Sequence, residues 1–261
     1  MKRIALVAAS AAALTAALSL TACSSGGDSA QQTPTRTLTV SAAASLTGVY
    51  QQLGNQFQQA NPGTTVRFNF GGSDTLAQQI VQGAPADVLA TASTKTMQTA
   101  QQAGKIAGTP TTYATNKLQI ATAPGDPKNI RSLANLAKPG VTSVVCAPAV
   151  PCGAAATAAE KAAKVTLTPV SEEQDVKGVL QRVQTGNADG GLVYVTDVLA
   201  AAGKVTGVDF PEASAQGATQ SYPIAVVTGS AQADLGQKWI EFVTGPQGKA
   251  ALAQAGFAVT P

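Results

Sequence analysis

The sequence predicts an α/β protein. Short apolar runs alternate with segments of helical period from Leu38 onward, Gly and Pro breakers stand at the junctions, and 44% hydrophobic against 12% charged residues is a globular composition. At 261 residues the chain suits one large domain or two modest ones.

The elements follow in order. Residues 38–41 read as a strand, and after Ala42-Ala43-Ala44-Ser45 the residues Leu46, Val49, Tyr50, Leu53 and Phe57 fall on one helix face, with Ser45 at its N-cap. Asn61-Pro62-Gly63 breaks the chain, and Val66, Phe68 and Phe70 alternate with Arg67 and Asn69 as a half-buried strand. Gly71-Gly72-Ser73-Asp74 leads into a helix carrying Leu76, Ala77, Ile80 and Val81, which Gly83 and Pro85 close before a buried strand at 87–91. Further strands are expected at 118–123, 144–146, 191–195, 205–210 and 222–227, and helices at 154–163, 176–185, 231–243 and 246–255.

The first segment reads as an address rather than as structure. Lys2 and Arg3 precede an apolar run over 4–20 that is interrupted by Ser10, Thr15 and Ser19, the pattern of a secretory signal. Leu20-Thr21-Ala22-Cys23 resembles a bacterial lipobox, which implies cleavage after residue 22, lipid on the Cys23 thiol and anchoring to the outer face of the cytoplasmic membrane. Residues 23–37, rich in Ser, Gly, Gln, Thr and Pro, read as a flexible tether.

Composition excludes several chemistries. The chain has no histidine, so it holds no Ser-His-Asp triad, no Cys-His dyad and no His-ligated zinc or haem. Ser45 and Cys146 have no base near them in sequence, and no enzyme is expected. Loss of 1–22 lowers the formal charge from +3 to +1, with 15 basic against 14 acidic residues, and leaves no basic cluster for nucleic acid. In an exported chain Cys146 and Cys152 point to a disulfide. A two-thiolate metal site would lack further ligands, and two free thiols suit an oxidising compartment poorly.

Two strand-to-helix junctions, at Ser45 and Ser73, combine small residues with a hydroxyl beside a helix N-terminus. Such a place exposes unpaired N–H groups and partial positive charge, a ready anion site. Serine is also a favoured cap that needs no ligand, so either residue alone fits both readings. At a third junction Glu172, Glu173 and Asp175 complement the dipole of the helix that opens at Val176, whose backbone N–H remains available. Tyr194 ends a strand in Gly191-Leu192-Val193-Tyr194, which fits both a cleft hydroxyl and a buried tyrosine with one partner.

Five blocks now carry a family resemblance: Ala42-Ala43-Ala44-Ser45-Leu46-Thr47, Phe70-Gly71-Gly72-Ser73-Asp74-Thr75-Leu76-Ala77, Gly83-Ala84-Pro85-Ala86-Asp87-Val88, Glu173-Gln174-Asp175-Val176-Lys177-Gly178 and Gly191-Leu192-Val193-Tyr194. In order and spacing they resemble the ModA family, the periplasmic molybdate-binding proteins of ABC importers, over nearly all of 38–257. The resemblance implies a two-lobed periplasmic-binding-protein fold of type II, each lobe a mostly parallel twisted sheet flanked by helices. Lobe 1 is expected over 38–117 plus 223–261 and lobe 2 over 118–222, with the ligand cleft between them.

It further implies a ligand of molybdate or tungstate, held by the hydroxyls of Ser45, Ser73 and Tyr194 and by backbone N–H groups, among them those of Val176 and Cys152. The metal arrives as an oxyanion, so no cation ligands and no cofactor are expected. A permease with its ATPase is the implied partner of a monomeric protein. The alternative is sulfate or another tetrahedral oxyanion. A cage of neutral donors suits a fully ionised dianion, because phosphate near neutral pH carries a proton that needs an acceptor.

Overall fold

The computed structural model describes residues 35–260. The signal expected over 1–22, the lipid expected on Cys23 and the part of the expected tether up to residue 34 lie outside the described residues, whereas residues 36–37, expected as the end of that tether, belong to a strand. Strand β1 (Arg36–Ala43) starts two residues ahead of expectation because Arg36 is anchored. Its N–H donates to the Gly63 carbonyl at 2.7 Å, and its guanidinium reaches Gln232 at 2.8 Å and Asp234 at 2.9 Å.

One turn of 3-10 helix (Ala44–Leu46) leads from β1 into α1 (Thr47–Ala60), which buries Val49, Tyr50, Leu53 and Phe57 against the sheet. Burying each such large side chain contributes about 1.5–3 kcal/mol. Then come β2 (Thr64–Gly71), α2 (Ser73–Val81), β3 (Val88–Ala90), α3 (Thr94–Gln102) and β4 (Ile106–Asn116). The chain crosses at Lys117 into β5 (Leu118–Thr122), α4 (Leu133–Leu136), β6 (Ser143–Cys146), α5 (Pro151–Ala163), β7 (Ser171–Glu173), α6 (Val176–Gln184), β8 (Gly190–Tyr194), α7 (Val195–Ala200) and β9 (Thr206–Val208). It returns in β10 (Gln220–Val227) and finishes with α8 (Ala233–Thr244), α9 (Pro246–Gln254) and β11 (Ala258–Val259).

Two sheets result, one in each lobe. The six-stranded sheet has the order β11-β4-β10-β3-β1-β2 and the five-stranded sheet the order β7-β6-β8-β5-β9. The two-lobed α/β class stands, with one correction: the sheets are mixed rather than mostly parallel. β5 pairs antiparallel with β8 and β9, and β10 pairs antiparallel with β3 and β4. The cause is topological. β5 and β10 each enter their sheet from the other lobe, at the cleft end, so they run against the strands whose carboxyl ends face the cleft.

The first core centres on Trp239, fully buried and edge-on to Tyr50 at 5.4 Å and to Phe57 at 5.3 Å. The second is built from Leu118, Ile120, Val144, Leu192 and Val193 of the sheet with Ala155, Ala159, Val179 and Leu180 of α5 and α6. β4 is the one long strand that the sequence does not announce. Its Thr-rich middle is exposed, Gly108 has a φ of 70°, and burial is confined to its ends, so no alternation of apolar residues marks it.

Another correction concerns Ser45, which is not the N-cap of a helix. The cap of α1 is Leu46 and that of the 3-10 turn is Ala43, because β1 runs on to Ala43 and the chain then tightens before α1 can begin. α5 likewise starts at Pro151 rather than 154, since Pro supplies a helical φ and lacks the N–H that the first position leaves unused.

Gly153 lets that helix seat. A Cβ there would collide with the backbone oxygen of Ala147 and lie 2.7 Å from that of Cys146. A Cβ on Gly48, inside α1, would meet nothing within 4 Å beyond its own helix. Calorimetry is expected to show Gly153→Ala less stable by about 1–3 kcal/mol, with a melting temperature lower by several degrees. Gly48→Ala is expected to be more stable by about 0.4–1 kcal/mol.

Candidate functional site

The carboxyl ends of β1, β2 and β3 in one lobe face those of β6, β7 and β8 in the other. At that seam lies a small cavity lined by Ser45, Gly72, Ser73 and Ala92 from the first lobe and by Val150, Cys152, Asp175, Val176 and Tyr194 from the second. All five residues singled out in the sequence, Ser45, Ser73, Cys152, Val176 and Tyr194, meet there. The centre of a water molecule has about 20 Å³ in which to move. A compact body about 3 Å in radius fills such a space, whereas sites for organic ligands run to roughly 300–1,000 Å³.

Each donor has its own local cause. Ser73 is the first residue of α2, behind Gly72, and its Oγ accepts the Ala92 N–H at 2.9 Å, so its proton is left for the cavity. Ser45 is 7% exposed and its Oγ lies 2.8 Å from the Tyr222 hydroxyl. Val176 opens α6 and Cys152 is second in α5, so neither N–H has a carbonyl four residues before it within its own helix to donate to. A disulfide joins Cys146, at the end of β6, to Cys152, and ties the strand to the first turn of α5.

Tyr194 differs from the rest. Its side chain is 1% exposed, yet the hydroxyl has no hydrogen-bond partner among the described residues. Burial pushes the phenol well above its usual range, with the neighbouring Tyr222 and Asp197 adding to the shift, so the group stays protonated and remains a donor. A buried hydroxyl left unpaired costs about 1–3 kcal/mol.

No cation lines the cavity. The carboxylate of Asp175, the one acidic side chain in its lining, caps α6 by accepting the N–H groups of Lys177 at 2.8 Å and Gly178 at 3.0 Å. Lys177 itself is held by Asp197 at 2.7 Å, and Asp197 also accepts the Tyr194 N–H at 3.1 Å. Asp197 is fully buried, which raises its carboxyl pKa, while Lys177 and the Tyr194 N–H pull it down. Such an arrangement of neutral donors and helix N-termini can hold a small dianion without a counter-charge. A wider groove of about 280 Å³ runs alongside, between α1, α9 and α7, with Lys177 as its one charged side chain.

Sequence reasoning did not find Gly72 as the point where the lobes touch. A Cβ on it would collide with the backbone oxygen of Gln174 in the other lobe and lie 3.5 Å from Val150. The signal was present in Gly71-Gly72, since glycine marks close backbone approach. Tyr222 and Asn116 were also missed, because nothing local links them to residues 45 or 196.

Comparison with known proteins agrees with this geometry. The chain is 49% identical to the molybdate-binding protein ModA of Mycobacterium tuberculosis over 85% of each protein. In structure it is similar to the periplasmic molybdate-binding protein of Azotobacter vinelandii, with a TM-score of 0.73 at 24% identity, covering 86% of this chain and 100% of that one. The sulfate-binding protein SubI of M. tuberculosis shares the fold, with a TM-score of 0.72 at 19% identity over 85% of this chain and 86% of its own. Residues 38–258 match the model for bacterial extracellular solute-binding proteins. With two lobes meeting on an ion-sized cavity and that match spanning both of them, the chain belongs to the bacterial extracellular solute-binding protein family, whose members capture solutes rather than transform them.

Proposed function

We propose that this protein captures molybdate, and tungstate with it, outside the cytoplasmic membrane and delivers it to an ABC permease and its ATPase. The observation that carries the reading is the donor set: three hydroxyls and two helix-terminal N–H groups line a cavity of ion size, and one of those hydroxyls, on Tyr194, is buried with no other partner. The 49% identity to ModA of M. tuberculosis supports the choice of anion. On this reading Ser45, Ser73, Cys152, Val176 and Tyr194 hold the oxyanion. Lipid on Cys23 keeps the monomer at the outer membrane face, and lobes of 38–117 with 223–261 and of 118–222 open and close about the crossings.

Selectivity follows from how far the lobes can close. The backbone at Gly72 already meets that at Gln174, so the cage cannot shrink around an ion smaller than the one it fits. Around sulfate some hydrogen bonds stretch past about 3.2 Å and weaken. Losing two, at roughly 1.5–3 kcal/mol each for a charged partner, separates the anions by about two to four orders of magnitude. Titration calorimetry is expected to rank molybdate and tungstate far above sulfate, with phosphate lower still for its proton. Sulfate binding as tightly as molybdate would move the protein to the sulfate binders.

Substitutions separate ligand contact from fold. Ser45→Ala and Ser73→Ala are each expected to weaken molybdate binding by about 1–3 kcal/mol. Tyr194→Phe removes a hydroxyl that has no partner in the protein, so thermal melts without ligand are expected to match or exceed the parent while affinity falls tenfold or more. If Tyr194→Phe keeps full affinity, the site is wrong. Reducing Cys146–Cys152 frees the first turn of α5 from β6, and a several-fold loss of molybdate affinity is the expected reading in the same titration.

A further inference from the structure

We infer that Asp197 is a positioning residue that holds the Lys177 ammonium away from the anion, so that the lysine's charge adds nothing to the grip on a dianion. The inference rests on the proposal that the cavity lined by Ser73, Val176 and Tyr194 holds the oxyanion. Lys177 is the second residue of α6, directly after the Val176 donor. Its Nζ donates to Asp197 Oδ1 at 2.7 Å, and Asp197 Oδ2 accepts the Tyr194 N–H at 3.1 Å.

The two partners are placed unequally. Asp197 is fully buried in the first turn of α7, whereas the Lys177 side chain is 34% exposed. The carboxylate is fixed from two sides, by a backbone N–H and by the ammonium, and it cannot follow the lysine outward. The lysine has room, because it lines the groove between α1, α9 and α7, and Ser45 lines both that groove and the anion cavity. Released from Asp197, the ammonium has a space to move in that shares a wall with the site.

Holding the Tyr194 N–H does not in itself require a charge at residue 197. An asparagine oxygen would accept the same bond, and a buried carboxylate is costly unless it is paired. What the carboxylate adds is its hold on the ammonium. A lone negative charge this close to two donors would weaken the binding of a dianion and a lone positive charge would strengthen it, whereas the pair sums to zero. The nearby Asp175 has its Oδ1 on the N–H groups of Lys177 and Gly178, and it stays in place in every variant compared below.

The test is molybdate titration calorimetry on the parent, Asp197→Asn and the double variant Asp197→Asn/Lys177→Met, with ligand-free melts to establish that each folds. Asp197→Asn keeps the shape and an acceptor for the Tyr194 N–H, and it leaves a half-exposed lysine to water rather than to the interior. In about 10 mM sodium chloride its affinity is expected to rise about tenfold over the parent, and the gain to shrink in about 150 mM, where exposed charge is screened more strongly. Lys177→Met added to it is expected to bring affinity back to within about twofold of the parent. A pair with a purely structural role gives the opposite sign, because breaking it loosens the first turn of α6. Unchanged or lower affinity in Asp197→Asn would therefore overturn the inference. So would a gain that survives Lys177→Met, whose source would be the lost carboxylate rather than the lysine, and so would a gain of equal size at both salt concentrations. If the parent binds no molybdate, or Tyr194→Phe binds it as well as the parent does, the reading of the site fails and the inference with it.

Discussion

Hydrogen-bond donors that are buried and left without partners are the constraint around which this structure is organised. A protein interior rejects such groups, and each one left unpaired costs about 1–3 kcal/mol. Here the Tyr194 hydroxyl is one of them, and the first-turn N–H groups of α5 and α6 stand beside it. They are tolerable together because they converge: on the reading proposed above, an anion entering the cavity satisfies several at once. Everything around them serves to hold them close without letting them find each other.

The surroundings show how charge is kept out. Asp175, Asp197 and Lys177 all stand within a few residues of the donors, yet each is committed elsewhere, Asp175 to the cap of α6 and the other two to one another. An uncompensated carboxylate would repel a dianion, and an uncompensated lysine would hold every anion by simple attraction. With both neutralised, the proposed recognition rests on donor geometry and on the close approach of Gly72 to Gln174 across the seam. Charge in that position would give affinity with little discrimination.

Much of this could be read from the chain, for physical reasons that also explain what could not. β1, β2 and α1 were legible because their apolar residues repeat at the spacing of one buried face, and Asn61-Pro62-Gly63 punctuates them. Ser45, Ser73, Val176 and Tyr194 were legible because each stands where a strand gives way to a helix. β4 was hidden by its exposed, Thr-rich middle, and the mixed strand directions by the fact that no residue records from which end a strand enters its sheet. The start of α1 was misplaced because a serine before an apolar helix looks like a cap whether or not the strand before it has ended. The bond between residues 45 and 222 has no local signature at all.

The position of β10 has a consequence for the order in which the molecule can assemble. It lies between β3 and β4, so the six-stranded sheet is split until residues 220–227 arrive. An emerging chain can pair β1, β2 and β3 among themselves, but the edges of β3 and β4 stay open while the whole second lobe is made. Open edges of that kind template association with other chains. The lobe at the middle of the sequence can therefore finish first, and the lobe that holds both ends of the described chain must finish last, with contacts of high sequence separation that slow its closure. The same arrangement keeps the first half of the described chain from locking until residues 220–227 have been made.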